Sequence, residues 1–280
     1  MKTIELIKIK DCSDLIKKSP TKKDYNKVIS EDCIFIKNNK PVGIYLKIKN
    51  DMLSSIKKAC INTKYVKTYR AHKAIPTQSS VFGSLPRVAL RNDYCRYSSQ
   101  SKKERNNYES LFEFSLVLIE LYKQYLPEQF THDLNIIKNT VNSDYLPKDN
   151  IPFTTANINV NHAIKYHKDT GNFKGNLSNV LILKDGIIGG ELVFPEYGFA
   201  LSQEDSYLSI FDGQGEIHGV MPIVKTKENS FRASIVYYTL ENMKHCYPFK
   251  EELKRIQNLS TIRANKRSLG INPRSAGNKI

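Results

Sequence analysis

Cysteine is sparse and poorly placed for a framework. The five residues, Cys12, Cys33, Cys60, Cys95 and Cys246, are odd in number and scattered, and no Cys-x-x-Cys occurs. This argues against a disulfide scaffold and a structural zinc site, and it suits a reducing intracellular compartment. Long apolar runs are also missing. Met1 to Lys10 sets charges among its isoleucines, and no stretch approaches the roughly 20 apolar residues of a membrane helix. A soluble, intracellular protein is therefore expected. Acidic residues are outnumbered, 28 Asp+Glu against 43 Lys+Arg, giving a formal +15. Such a surplus favours a polyanionic partner such as DNA, although lysines spread along the chain also fit the bias of an AT-rich genome.

At 280 residues the chain can bury one substantial core and a small appendage. The chemistry centres on His167-Lys168-Asp169-Thr170-Gly171-Asn172. In an extended segment His167 and Asp169 point to the same side and can ligate one ion, and His218, after the turn Asp212-Gly213-Gln214-Gly215, can close the face. Two imidazoles and a carboxylate on one face of an octahedral ion leave three open positions. That is the set expected for non-haem Fe(II) binding a cosubstrate and O2 together. Arg232 opens the β-rich run to Tyr238 and would hold a distal carboxylate of 2-oxoglutarate in a bidentate fork. His-x-Asp alone is a weak signal, and either histidine could be a satisfied core residue. The four elements in this order carry the reading.

Residues 1–70 read as short strands, Cys33–Ile36 and Val42–Ile48, and a helix capped by Asp51, a sheet and helix extension flanking the core. Val81 to Arg96, punctuated by Gly83 and Pro86, reads as a loop carrying Arg87, Arg91 and Arg96. A helix over 104–126 ends before Pro127, and a second places Phe130, Leu134, Ile137 and Val141 on one stripe. Beyond Pro147 the period becomes two, with Asn157, Asn159, Asn161 and His167 on the polar face; His162, of opposite parity, reads as structural. Short strands follow at 180–183, 190–194, 207–211 and 217–220, and Arg232, Ser234, Val236 and Tyr238 share one strand face. Regular short strands without intervening helices predict an α+β fold, a double-stranded β-helix (cupin-like jelly roll) flanked by the helices. The expected division is 1–70 as extension, 71–248 as catalytic domain, and 249–280 as a short amphipathic helix (Leu253, Ile256, Leu259) with a basic, flexible tail.

These residues resemble the TET and JBP family of nucleic-acid-modifying 2-oxoglutarate/Fe(II) dioxygenases over roughly 80–242. His-x-Asp-x-x-Asn is met by His167, Asp169 and Asn172, and the later His with Arg-x-Ser-x-Val-x-Tyr by His218, Arg232, Ser234, Val236 and Tyr238. The resemblance implies iron on His167, Asp169 and His218, and 2-oxoglutarate on Arg232 and Ser234. It implies a flipped base hydrogen-bonded by Asn172 and stacked on Tyr238, with Arg96 assisting the cosubstrate. Leu240 stands where the animal TET branch has a histidine, and that branch's cysteine-rich zinc segment is missing. The chain looks more like the phage, protist and JBP branches, whose members oxidise thymine or 5-methylcytosine. The implied reaction is hydroxylation of a pyrimidine 5-methyl group in DNA with Fe(II), 2-oxoglutarate and O2. Two alternatives stand beside it, a protein or small-molecule hydroxylase and a non-catalytic cupin-like DNA-binding module.

Overall fold

The computed structural model describes residues 1–68, 77–88 and 93–270. In chain order the strands begin with β1 (Lys2–Glu5), β2 (Lys27–Ile29), β3 (Cys33–Lys37), β4 (Lys40–Lys47), β5 (Val66–Thr68), β6 (Thr77–Leu85) and β7 (Arg96–Tyr97). They continue as β8 (Thr155–Val160), β9 (Ile164–His167), β10 (Ser178–Asp185), β11 (Ile187–Gly189), β12 (Leu192–Phe194) and β13 (Phe199–Leu201). The last are β14 (Tyr207–Phe211), β15 (His218–Val220), β16 (Ile223–Lys225) and β17 (Phe231–Tyr238). The helices are α1 (Met52–Asn62), α2 (Ser99–Lys103), α3 (Arg105–Tyr125), α4 (Pro127–Thr140) and α5 (Phe249–Ser268).

A large sheet runs β1-β3-β4-β14-β10-β17-β8-β6-β5, with β7 paired to β6, and faces a smaller sheet, β2-β13-β12-β15-β9. Two facing, mostly antiparallel sheets with helices against one of them form an α+β jelly roll. Strand alternation assigns the faces. Ala156, Ile158, Ala233, Ile235 and Tyr237 pack outward in one core with Phe112, Leu118 and Tyr122 of α3, and the Tyr237 hydroxyl donates to Leu111 O at 2.9 Å. Their alternates Asn157, Asn159, Arg232, Ser234, Val236 and Tyr238 line the space between the sheets. The far end of that space is filled by an aromatic cluster including Phe35, Tyr45, Phe194, Phe199 and Phe211. Strands of the first fifty residues complete both sheets, β4 on β14 and β2 on β13.

Four expectations need correction. Val81 to Leu85 lies in β6, paired along β8, and is not a loop. Gly83 misled the reading: it sits at φ +98, and a Cβ there would lie 2.1 Å from Thr154 O, so the glycine permits a close strand approach. The alternation from 154 to 167 does not run through one strand. Asn161, at φ 48, turns the chain from β8 in the large sheet to β9 in the small one, so parity does not carry across. The basic segment Arg263–Arg267 is helical, because α5 continues to Ser268. The expected apolar stripe is not sunk: Leu253 is exposed, and Glu252 is the buried residue of the helix. Arg274 and Lys279 lie outside the described residues. Finally, Cys95 and Cys246 form a disulfide across a sequence separation of 151. Sequence spacing cannot show such a bond, since only the fold brings the two sulfurs together.

Candidate metal and cosubstrate centre

His167 ends β9 and His218 begins β15, and the two are directly paired across the small sheet. Their rings lie 4.4 Å apart between centroids. Asp169 follows in the next turn, its N–H donating to Gly213 O at 2.7 Å. Asp169 Oδ1 lies 3.5 Å from His167 Nε2 and 3.9 Å from His218 Nε2, and one ligand atom from each residue falls within 4.8 Å of the other two. Gly213 is required beside it, since a Cβ would stand 2.3 Å from Asp169 Oδ2. The turn itself is tied by Asp212 Oδ1, which accepts from the N–H groups of Gln214 and Gly215 at 3.1 and 2.8 Å.

Each imidazole is oriented in the same way. His167 Nδ1 lies 2.9 Å from Lys165 O and His218 Nδ1 3.0 Å from Glu216 O, so each Nδ1 carries the proton and each Nε2 offers its lone pair inward. Burial works against a charge on Asp169. In the metal-free chain, protons on the Nε2 atoms of the flanking His167 and His218 rings outweigh it and hold the carboxyl down at about 2, a place that a cation held by the two Nε2 lone pairs would take over, with Ser178 Oγ donating to Oδ2 at 3.2 Å. Two neutral Nε2 lone pairs and one carboxylate fit a divalent non-haem iron.

The three ligands open into a cavity of about 590 Å³. Arg232 lies on its wall, 2% exposed. Its Nη2 donates to Gly190 O at 3.2 Å, while its buried Nε has no hydrogen-bond partner. Burial pushes its pKa down to about 10, against the pull of nearby Glu191. A buried guanidinium with an unmet donor fits the distal carboxylate of 2-oxoglutarate. Ser234 lies two residues along the same face. Toward the other end the cavity meets Asn172 and Tyr238. Asn172 is fixed by a β-bridge to Leu240 and by Gln214 Nε2, which donates to Asn172 O at 2.6 Å.

Arg96, expected to assist the cosubstrate, is not among the described residues that line this cavity. It opens β7 and its Nη1 donates to Asp93 Oδ2 at 3.0 Å and to Tyr94 O at 2.9 Å, so local partners occupy it. Arg87 is engaged with Glu252, and Arg91 lies outside the described residues. Sequence reasoning missed several lining residues. Asn157 and Gln203 each present a buried amide oxygen without a partner, and Ile16 and Lys17 come from the N-terminal segment. Asn157 was legible as part of a polar strand face, but nothing in the sequence brings residues 16 and 17 here. His162 is buried and is not among the cavity-lining residues, in keeping with a structural place. Among the described residues no helix is long and apolar enough to cross a membrane.

In fold, the chain is similar to NgTET1 in complex with 5mC DNA, with 13% identity, a TM-score of 0.63, and coverage of 84% of this chain and 87% of that one. A 2OG-Fe(II) oxygenase family oxidoreductase from Burkholderia pseudomallei gives 12% identity and a TM-score of 0.42, covering 71% of this chain and 86% of that one. No curated protein sequence matches. The profile of Tet_JBP, the oxygenase domain of the 2OGFeDO superfamily, matches residues 89–241, more than half of the chain. With its His-Asp-His face and its buried arginine, the chain belongs to the Tet_JBP family and is a dioxygenase that uses Fe(II), 2-oxoglutarate and O2.

Proposed function

We propose that this dioxygenase hydroxylates the 5-methyl group of a pyrimidine in DNA, taking thymine to 5-hydroxymethyluracil or 5-methylcytosine to 5-hydroxymethylcytosine. In this reading His167, Asp169 and His218 hold Fe(II), Arg232 and Ser234 bind the distal carboxylate of 2-oxoglutarate, and residues 71–248 form the catalytic unit between flanks 1–70 and 249–280. Iron held there, with 2-oxoglutarate and O2, would supply the oxidising power for a reaction whose products are succinate, CO2 and the hydroxylated methyl group. The side chains orient the substrate and exclude water.

The observation that carries the reading is the joint lining of one cavity by the iron ligands, Arg232, Asn172 and Tyr238. A 5-methyl group in a duplex is held in the base stack, so the base must be extruded at a cost of roughly a few kcal/mol. Asn172 would hydrogen-bond the extruded base and Tyr238 would stack on it. The formal +15 supports salt-sensitive affinity for a polyanion. The fold likeness to a TET protein in complex with 5mC DNA supports the same substrate class.

The test is incubation with Fe(II), 2-oxoglutarate and DNAs containing thymine, 5-methylcytosine or neither, followed by nucleoside mass spectrometry. A 5-hydroxymethylpyrimidine is expected, together with succinate. Turnover of a peptidyl-proline substrate with none on either DNA would overturn the reading.

A further inference from the structure

Outside the residues matched by the family profile, Ser13 to Lys18 reaches the mouth of the cavity. Lys17 N–H donates to Tyr166 O at 2.8 Å and Tyr166 N–H donates to Lys18 O at 2.9 Å, so the segment runs as an added edge on β9 immediately before His167. Lys17 is held at φ 73, a left-handed conformation that a lysine adopts only where neighbours impose it. Its side chain is exposed and lines the cavity together with Lys165 and Lys168, which flank His167. Among the described residues none of the three lysines has an ion pair. The cavity lining holds one acidic residue, Asp169, already committed to the iron face. The cavity lining therefore carries three lysines without an ion pair among the described residues, Lys17 on the strand edge beside β9 and Lys165 and Lys168 next to His167, against a single acidic residue.

We propose that Lys17, Lys165 and Lys168 form a phosphate-binding lip that grips the DNA backbone on either side of the extruded nucleotide. This rests on the DNA reading above. A neutral base inside the cavity gives these ammonium groups nothing to neutralise, whereas its flanking phosphates must pass the rim. Backbone neutralisation releases counterions, so each contact adds about 0.9 to the log–log dependence of affinity on salt.

The test measures binding of a 5-methylcytosine duplex to the full chain from low to physiological salt. It compares the wild type with Lys17→Gln/Lys165→Gln/Lys168→Gln and with the corresponding triple Arg variant. The slope is expected to fall by about 2.7 in the Gln variant and to return in the Arg variant. Misfolding would reduce the bound amplitude at every salt without selectively flattening the slope, and the Arg variant guards against it. An unchanged slope in the Gln variant, with the wild type binding DNA, overturns the lip and leaves the DNA reading intact. So does a Gln variant whose only loss is affinity for 2-oxoglutarate, which would make the lysines a cosubstrate funnel. Failure of the wild type to bind any DNA overturns the DNA reading itself.

Discussion

Arg87 and Arg232 are both drawn into the molecule, and their surroundings are opposite. Arg87 Nε donates to Glu252 Oε2 at 3.2 Å, its Nη2 meets Oε1, and its guanidinium lies 4.7 Å from the centroid of the Tyr247 ring. Glu252 also accepts from the N–H groups of Cys95 and Tyr247 at 3.2 and 3.1 Å. Burial opposes ionisation of Glu252, yet these donors hold its pKa below the usual carboxylate range. Arg232 has a backbone carbonyl and an unmet Nε. A buried charge answered within the chain acts as a fastening, here tying α5 to the region of β7. One left short of partners is poised for a ligand.

The comparison breaks most sharply at the metal. His218→Ala removes a ligand outright, and loss of even an outer-sphere partner weakens metal binding by about 10–100-fold. Iron affinity should therefore fall by at least about 100-fold, read by metal titration, with succinate release falling alongside. Next comes Arg232→Met. Its binding of 2-oxoglutarate should weaken by about 30-fold or more, because a buried charge partner is worth roughly 2–5 kcal/mol. In the absence of 2-oxoglutarate the same variant should melt at a higher temperature, since an apolar side chain of similar volume replaces an underpaired buried charge. Arg87→Met should do the reverse, lowering stability by about 1–3 kcal/mol, reduced from the fully buried case because Arg87 keeps some exposure. Equal thermal shifts of the same sign in the two variants would refute the distinction.

Most of the site was legible because its logic is local or periodic. His167 and Asp169 are two apart, and Arg232, Ser234 and Tyr238 are spaced by strand parity, so their common face follows from the pleat. The stripe on α3 was legible for the same reason, with Tyr108, Leu111, Phe112, Leu118 and Tyr122 all buried. What escaped depends mostly on contacts distant in sequence: Cys95 had no visible partner until Cys246 arrived beside it. Arg96 is the local exception, since Asp93 and the Tyr94 carbonyl lie three and two residues away, and nothing in their spacing says that the guanidinium turns to them. Gly83 carries opposite meanings in a loop and in a tight strand crossing, and only Thr154 decides between them. Lys17 belongs to a segment without a motif, placed by two backbone hydrogen bonds to Tyr166.

A smaller effect sharpens the fastening side. Glu252 has a lowered pKa in the folded chain, so its contribution is fully present above the unfolded value of about 4.3. That contribution is lost as pH falls from there through the lowered folded value, where the native carboxylate takes up a proton. Thermal melts of the wild type and Glu252→Gln should differ at neutral pH and draw together as pH falls below the unfolded value and through the lower folded one. A gap that persists at low pH would assign the effect to packing and not to charge.

The smallest expected change is at Asn172, where fastening and binding meet in one residue. Its carbonyl is held by Gln214 and its backbone by the bridge to Leu240, so the loop geometry does not depend on the side chain. The side-chain amide lines the cavity and has no partner among the described residues. Asn172→Ala should therefore leave iron uptake and 2-oxoglutarate affinity near wild type, and lower kcat/KM on DNA by about fivefold, the worth of one hydrogen bond of about 1 kcal/mol. On the proposed base-binding role of Asn172, the loss should appear with thymine or with 5-methylcytosine according to which base the wild type prefers, and should narrow the ratio between them. A loss of 2-oxoglutarate affinity instead would move Asn172 from the base to the cosubstrate. It would then join Arg232 as part of the site that the free protein leaves short of partners.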